Sequence, residues 1–404
     1  MGGYVHKAVT WNREASTLWA AGQHDQAVDM CLAALDANPA PDADAFIQPG
    51  FYLFQLERFD IGTKVLERGL AIFPDHPMIL LSLGSSYSRW YKPEPAIPLL
   101  ERFLALGYID ASAFDALAQS CSTTDDLIRA RLFGTMAINE KDALTRERHG
   151  TPTLNLRHKP GKRARIIAFS LFGSHPRYLR GALQNVLAAR DIYPGWTCRF
   201  YVDDSVDATF RAVMAEEGAE MIMDDSGDRD VRHLLTRRFL VSDDPEVGYF
   251  LVRDCDSVVG PREAAAVAEW IDSGLPFHAM RDWYTHTDPL LAGMWGGIAG
   301  VFPDIAGKIA GFRESTPLNT NWDQFFLRDQ IWSAIRDQVM VHDRYFSAHR
   351  AQPFPTPTPR GREHVGQNEY GSDKAGQAAV LAAFAERIPA LQLGRRVKLN
   401  FKLG

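Results

Sequence analysis

Apolar positions along the chain change their period part-way. Up to about residue 145 they recur at helical spacing, and from Ile166 onward they gather into short runs separated by helix-length amphipathic stretches. Within the first part a bulky column, Trp11, Phe46, Leu80 and Phe114, repeats at steps of 35, 34 and 34 residues. Two columns of small residues keep the same steps: Ala15, Gly50, Gly84 and Ala118, and Ala27, Gly62, Ala96 and Ala130. Small residues at fixed points let two antiparallel helices approach closely, while the bulky column fills the space between neighbouring pairs, so stacked helical hairpins are predicted. Pro39 and Pro74 close the first two units.

A stretch rich in Gly, Pro and basic residues, 146–163, reads as a linker. After it the pattern predicts a strand at 166–172, a helix at 178–189, a strand at 197–202, a helix at 208–217, a strand at 220–223, a helix at 231–240 and a strand at 248–252. Such alternation argues for an α/β domain with a mainly parallel sheet over 164–404. The last of these strands runs into Arg253-Asp254-Cys255-Asp256-Ser257. Strand alternation puts Asp254 and Asp256 on one face, beyond a carboxyl-terminal strand end, where α/β sheets place their ligands. A hard divalent cation is the partner such a pair fits, with a solvated turn as the plainer alternative.

Composition narrows the classes. A 46% hydrophobic, 23% charged chain of 404 residues with a net charge of −6 is ordinary globular protein, long enough for two cores and without a nucleic-acid-binding tail. Cys31, Cys121, Cys198 and Cys255 lack metal-finger spacing and read as free thiols of a reducing, cytoplasmic setting. No signal peptide or membrane-spanning run is expected. No glycine-rich dinucleotide fingerprint follows the first strand, which argues against a dehydrogenase. The Pro-rich run 353–361 predicts an exposed or lid-like loop, residues 364–373 a segment closing over a diphosphate, and the alanine-rich stretch 374–388 a helix. The basic tail Arg395-Arg396-Val397-Lys398 has no assigned role.

Residues 8–145 resemble a tetratricopeptide-repeat array, most clearly from Gly22 to Pro39, with Ala27, Ala34 and Asn38-Pro39 in the family's places. Phe103 stands where that family has a small residue and Cys121 where it is often aromatic, so the last units depart from the pattern, as a cap would. Residues 163–370 resemble the nucleotide-sugar-dependent glycosyltransferases of the GT-A fold. The resemblance rests on Arg253 to Ser257, on Met280-Arg281-Asp282 with His286 and Leu291 to Gly297, and on Trp322-Asp323-Gln324 followed by Asp329-Gln330-Ile331-Trp332.

That resemblance implies transfer of a sugar from a UDP- or GDP-sugar to a glycan or protein acceptor, assisted by Mn2+ or Mg2+, with the repeats recruiting or orienting the acceptor or another protein. It implies Asp256 as direct metal ligand, Asp254 at the metal or ribose, and a late histidine, His342 with His364 in reserve, as third ligand. Ser170, Phe172 and Gly173 at the exit of the first strand, with Asp203, Arg253 and Asp254, would meet the nucleotide. Arg177 and Arg180 are either phosphate contacts or surface charges. Arg281, Asp282, His286, Trp295, Gly296 and Gln324 would meet the sugar or acceptor, the glycines of 293–297 forming a flexible turn. Asp323 would be the carboxylate nearest the reacting carbon, with Asp282 beside it, unless Asp323 is a helix N-cap. Inverting and retaining outcomes both fit Asp323-Gln324. A non-catalytic repeat scaffold and a nucleotidyltransferase are the alternatives.

Overall fold

The computed structural model describes residues 11–148, 153–161, 163–316, 321–368 and 381–391. Residues 374–380 of the predicted helix at 374–388 fall outside these residues, as do part of 364–373 and the whole basic tail, while the described 381–388 are mostly turn rather than helix. The chain divides into two compact units.

The first unit is built on four helical hairpins: α1 (Arg13–Ala20) with α2 (His24–Ala37), α3 (Asp44–Gln55) with α4 (Phe59–Ile72), α5 (Pro77–Arg89) with α6 (Pro93–Ala105), and α7 (Ala111–Thr123) with α8 (Leu127–Arg148). The repeated small residues sit where helices touch. A Cβ at Gly50 would stand 2.8 Å from Leu66 Cγ on the partner helix, and one at Gly84 2.6 Å from Leu100 Cγ. Phe46, Leu80 and Phe114 of the bulky column are buried, and so are Phe103 and Cys121. Both ends of the hairpin order therefore follow from volume. Small residues set the spacing inside each pair, and large ones fill the gaps between pairs.

Two short segments far along the chain, 284–289 and 345–348, also belong to this unit. Phe346 and Ala348 join Cys121, Ala130, Ile138 and Tyr284 in one apolar cluster, and the Tyr284 and Tyr345 rings stack 3.9 Å apart. Lys141, its side chain 7% exposed, reaches Asp115 at 2.8 Å and Asp288 at 3.2 Å and donates to the Thr287 carbonyl at 3.2 Å. Burial alone would discharge such an amine, but the two carboxylates keep it protonated and raise its pKa.

The second unit carries a seven-stranded sheet in the order β3-β2-β1-β4-β6-β5-β7. Its strands are β1 (Ala164–Leu171), β2 (Thr197–Val202), β3 (Glu220–Met223), β4 (Val247–Val252), β5 (Phe277–Arg281), β6 (Trp295–Ile298) and β7 (Val339–Asp343). All neighbours run parallel except β6, which is antiparallel to both β4 and β5. One face packs α9 (Pro176–Ile192), α10 (Ala208–Glu216) and α12 (Pro261–Ser273) over Phe169, Phe200 and Leu251. The other gathers Phe239, Phe250, Trp295, Trp322, Phe326 and Trp332.

One expectation is corrected by β6. From Trp295 the predicted flexible turn is a fully buried strand in the middle of the sheet. Its glycines answer crowding rather than mobility, because a Cβ at Gly296 would meet the Phe250 carbonyl at 2.5 Å and one at Gly297 the Phe277 ring at 2.7 Å.

A fit as close as that of Phe346 in the first unit gives a direct test. A Cβ on Gly134 would lie 2.6 Å from Phe346 Cζ, so Gly134→Ala is expected to cost about 1–3 kcal/mol by overpacking. Thermal unfolding should show the loss, and Gly134→Ala combined with Phe346→Leu should recover part of it.

Candidate functional site

β1 and β4 lie side by side and parallel, Ala168 opposite Val252. Their carboxyl ends open into a cavity of about 360 Å³. Ser170, Leu171 and Phe172 line it from the end of β1, and Asp254, Cys255 and Asp256 from the turn after β4. Tyr178 of α9, Val231 and Leu235 of α11 (Val231–Thr236), Arg238 and Asp323 complete the wall.

Helix α9 fixes the acidic turn. A Cβ on Gly181 would run into the Cys255 carbonyl and lie 2.8 Å from Asp256 Cα, so only glycine lets the helix come this close. One turn later the wholly buried Asn185 donates to the carbonyls of Cys255 (3.3 Å) and Ser257 (3.0 Å) and accepts from the Val259 amide (2.9 Å). Gly and Asn are poor helix-interior residues, and their i, i+4 spacing puts both on the face that meets the turn. Cys255 also lines the cavity, with its thiol engaged by the wall. Its thiol lies 3.1 Å from the Ser170 carbonyl, and burial raises its pKa well above the ordinary thiol value, so it stays protonated.

Two guanidinium groups neutralise the acids. Arg238 follows α11 in a 3-10 turn (Arg237–Asp243), and its side chain is 4% exposed. It pairs with Asp254, reaches Asp323 at 3.1 Å and donates to the Arg253 carbonyl at 2.9 Å. Its own amide donates to Ser170 Oγ at 3.0 Å, and that hydroxyl donates to the Leu235 carbonyl at 3.1 Å. Arg177, in the first turn of α9, pairs with Asp256. Burial pushes the Asp256 carboxyl up, the like charge of Asp254 adds to this, and Arg177 opposes it. Burial likewise raises Asp323 against the pull of Arg238.

Asp323 lies in the first turn of α14 (Trp322–Phe326), one residue inside the helix. The N-cap position belongs to Asn321. Gln324 ties this helix to the segment before β6, accepting from the Ala292 amide at 3.0 Å and donating to the Leu290 carbonyl. The helix continues as a π-type turn over Leu327–Trp332, a local rewinding that recurs where proteins place function. Gly293 is small because the Asp254 carboxylate packs against its Cα.

Of the residues singled out from sequence, Ser170, Phe172, Asp254, Asp256 and Asp323 converge on the cavity. Others meet different partners. Gly173, in the left-handed backbone region at φ +74°, donates its amide to Ser205 Oγ at 2.7 Å. The buried Asp203 is held by the Ser205 amide at 3.1 Å and by Arg229. Arg253 is buried against Glu263 (3.3 Å) and the Trp295 carbonyl (3.2 Å), and Trp295 is core between Phe239 and Phe250.

Arg281 pairs with Asp343 at 2.6 Å, both side chains enclosed. Asp282, fully buried, takes Arg262 at 3.0 Å through both oxygens and the Val365 amide at 2.8 Å. That pairing fastens the Pro-rich segment, since Arg262 also donates to the Thr356 and Pro357 carbonyls (3.2 and 3.1 Å) and lies 4.0 Å over the Phe354 ring. His286 falls within the segment 284–289 of the first unit. His342 is buried 2.8 Å from His278 and 3.1 Å from Glu269, and burial lowers its pKa. His364 stacks on Trp283 at 4.6 Å.

No protein-family model matches the chain, and no curated protein matches it. Solved structures do show similarity. MamA from Desulfovibrio magneticus RS-1 is 20% identical over 31% of this chain and 71% of its own, with a TM-score of 0.29. A second MamA structure, MSR-1, is 23% identical over 33% and 78%, also at 0.29. A mutant of the Thermobaculum terrenum O-GlcNAc transferase is 17% identical over 59% of this chain, with a TM-score of 0.36, and the chain spans 44% of that structure's length. Similarity this low assigns no site, and the chemistry rests on the geometry above.

Arg238, Gly181 and Asn185 escaped the reading of the sequence, although a Gly and an Asn one turn apart inside a helix were a visible signal of close packing. Asn185→Ala strands two buried carbonyls and an amide, each worth about 1–3 kcal/mol when left unpaired. The variant is expected to lose at least that much in thermal unfolding. Hydrogen exchange should rise first at 254–259, well ahead of β2 and β3.

Proposed function

We propose that the chain is a metal-dependent glycosyltransferase of the GT-A type, moving a sugar from a nucleoside-diphosphate sugar to a glycan or protein acceptor that the repeat array recruits or orients. The observation that carries this reading is convergence: three carboxylates from two distant stretches, with Ser170 and Phe172 from a third, line one cavity beyond the ends of β1 and β4. In sheets of this kind that is the place for a nucleotide ligand.

The acids also suit a divalent cation. Asp254 and Asp256 face the same cavity, and Mg2+ is commonly held by one or two carboxylates with substrate phosphates and water completing its shell. Among the described residues no three of His, Cys, Asp and Glu cluster closely enough to hold a metal on their own. His342 lies beside His278 and Glu269 and does not line this cavity. Asp256 with Asp254 would therefore hold Mn2+ or Mg2+, which supplies a Lewis acid for the charge growing on the departing diphosphate. Phe172 and Tyr178 offer apolar walls to the nucleoside. Arg238 holds Asp323 at a fixed place beside Asp254, where a carboxylate is positioned to steady positive charge developing on the sugar or to accept a proton from the acceptor.

Thermal-shift screening of UDP- and GDP-sugars with Mn2+ tests the reading directly. At a ligand concentration 100 times Kd the stabilisation is about 2.7 kcal/mol, and Asp256→Asn is expected to remove it. Asp254→Asn should weaken it less, because the amide still accepts from Arg238. A wild-type chain that no sugar nucleotide stabilises would instead favour a repeat scaffold, while release of pyrophosphate during turnover would favour a nucleotidyltransferase.

A further inference from the structure

The two arginines beside the acidic pair are not equivalent. Arg238 is enclosed, and three acceptors from two elements hold its guanidinium: Asp254, Asp323 and the Arg253 carbonyl. It has no room to change partner without stranding a buried charge. Arg177 lies at the cavity rim with its side chain 30% exposed, next to two lining residues: Asp256, which it pairs with, and Tyr178, whose ring lies 5.6 Å from its guanidinium carbon. Its backbone is anchored, the amide donating to His175 Nδ1 at 3.2 Å.

We propose that Arg177 is an exchangeable counter-ion of Asp256 that couples the divalent cation to the diphosphate, so that each binds well only with the other. This rests on the transferase reading above. The Asp256 carboxylate is 12% exposed, and its charge is already met by a guanidinium. A cation arriving alone must displace that group and gains only two carboxylates in return. A diphosphate arriving with the cation changes both sides of the exchange. Its oxygens complete the metal's coordination, and they give the displaced guanidinium a bidentate partner of the geometry it prefers. Linkage requires the effect to be reciprocal, the nucleoside diphosphate tightening the metal as much as the metal tightens the nucleoside diphosphate.

The experiment is a set of Mn2+ titrations of the full chain followed by the electron paramagnetic resonance of free Mn2+, with and without saturating UDP or GDP. In the wild type, whichever nucleotide binds should tighten Mn2+ by about tenfold or more, within the usual range of coupling between sites. Arg177→Met should bind Mn2+ alone more tightly than the wild type, bind the nucleotide alone more weakly, and reduce the coupling severalfold. Arg177→Lys, which keeps the charge but not the fork, should fall between the two. If the wild type shows coupling and both variants reproduce its affinities and coupling, Arg177 is a bystander and the inference fails while the transferase reading stands. If the wild type binds neither nucleotide with Mn2+, the transferase reading fails and this inference with it.

Discussion

A guanidinium taken out of water must be met by charge and hydrogen bonds from several directions, or the fold loses several kcal/mol. In this molecule that constraint falls on Arg238. Satisfying it requires Asp254 after β4, Asp323 in α14 and the Arg253 carbonyl to face one point, while Ser170 at the end of β1 holds the arginine's own amide. Three stretches spread along the chain from Ser170 to Asp323 are thereby brought to one wall. The cavity is the space left over once this requirement has been met.

Helix α9 meets the turn after β4 under a second constraint, one of volume rather than charge. Gly181 allows the approach and Asn185 uses it, pairing backbone groups that a loop so close to the core could not expose to water. The acidic turn is thus held by hydrogen bonds and close packing although it is irregular. A pair of carboxylates held this way is arranged before any ligand arrives, and the reorganisation that binding would otherwise require is correspondingly small.

The chain was readable where a residue's role depended on its period. The hairpin columns are a matter of volume at fixed spacing, and the order of strands and helices up to β4 follows the switch from one hydrophobic period to another. Asp254, Asp256 and Asp323 were visible as polar residues at element ends. Reading faltered where composition is ambiguous. Arg281 and Asp282 flanked by Trp283 and Tyr284 look like a sugar-binding patch, yet the same residue types make the enclosed pairs with Asp343 and Arg262, and nothing local tells the two apart. Strand β6 was missed because four residues with two glycines carry no strand signal of their own. Arg238 was missed because, next to Arg237 within Leu234 to Leu240, it shows its purpose only when distant acids are folded onto it.

The first unit is assembled from three separate stretches of sequence, since the segments 284–289 and 345–348 pack with Lys141, Gly134 and Cys121 rather than with the sheet whose strands they follow. The linker at 146–163 looks like the seam of a gene fusion, but cutting there does not partition the molecule. A descendant that exchanged its repeats by recombination at this seam would inherit Phe346 and Asp288 without their sockets. Replacing α7 or α8 alone would leave contacts more than a hundred residues downstream in the chain without their partners.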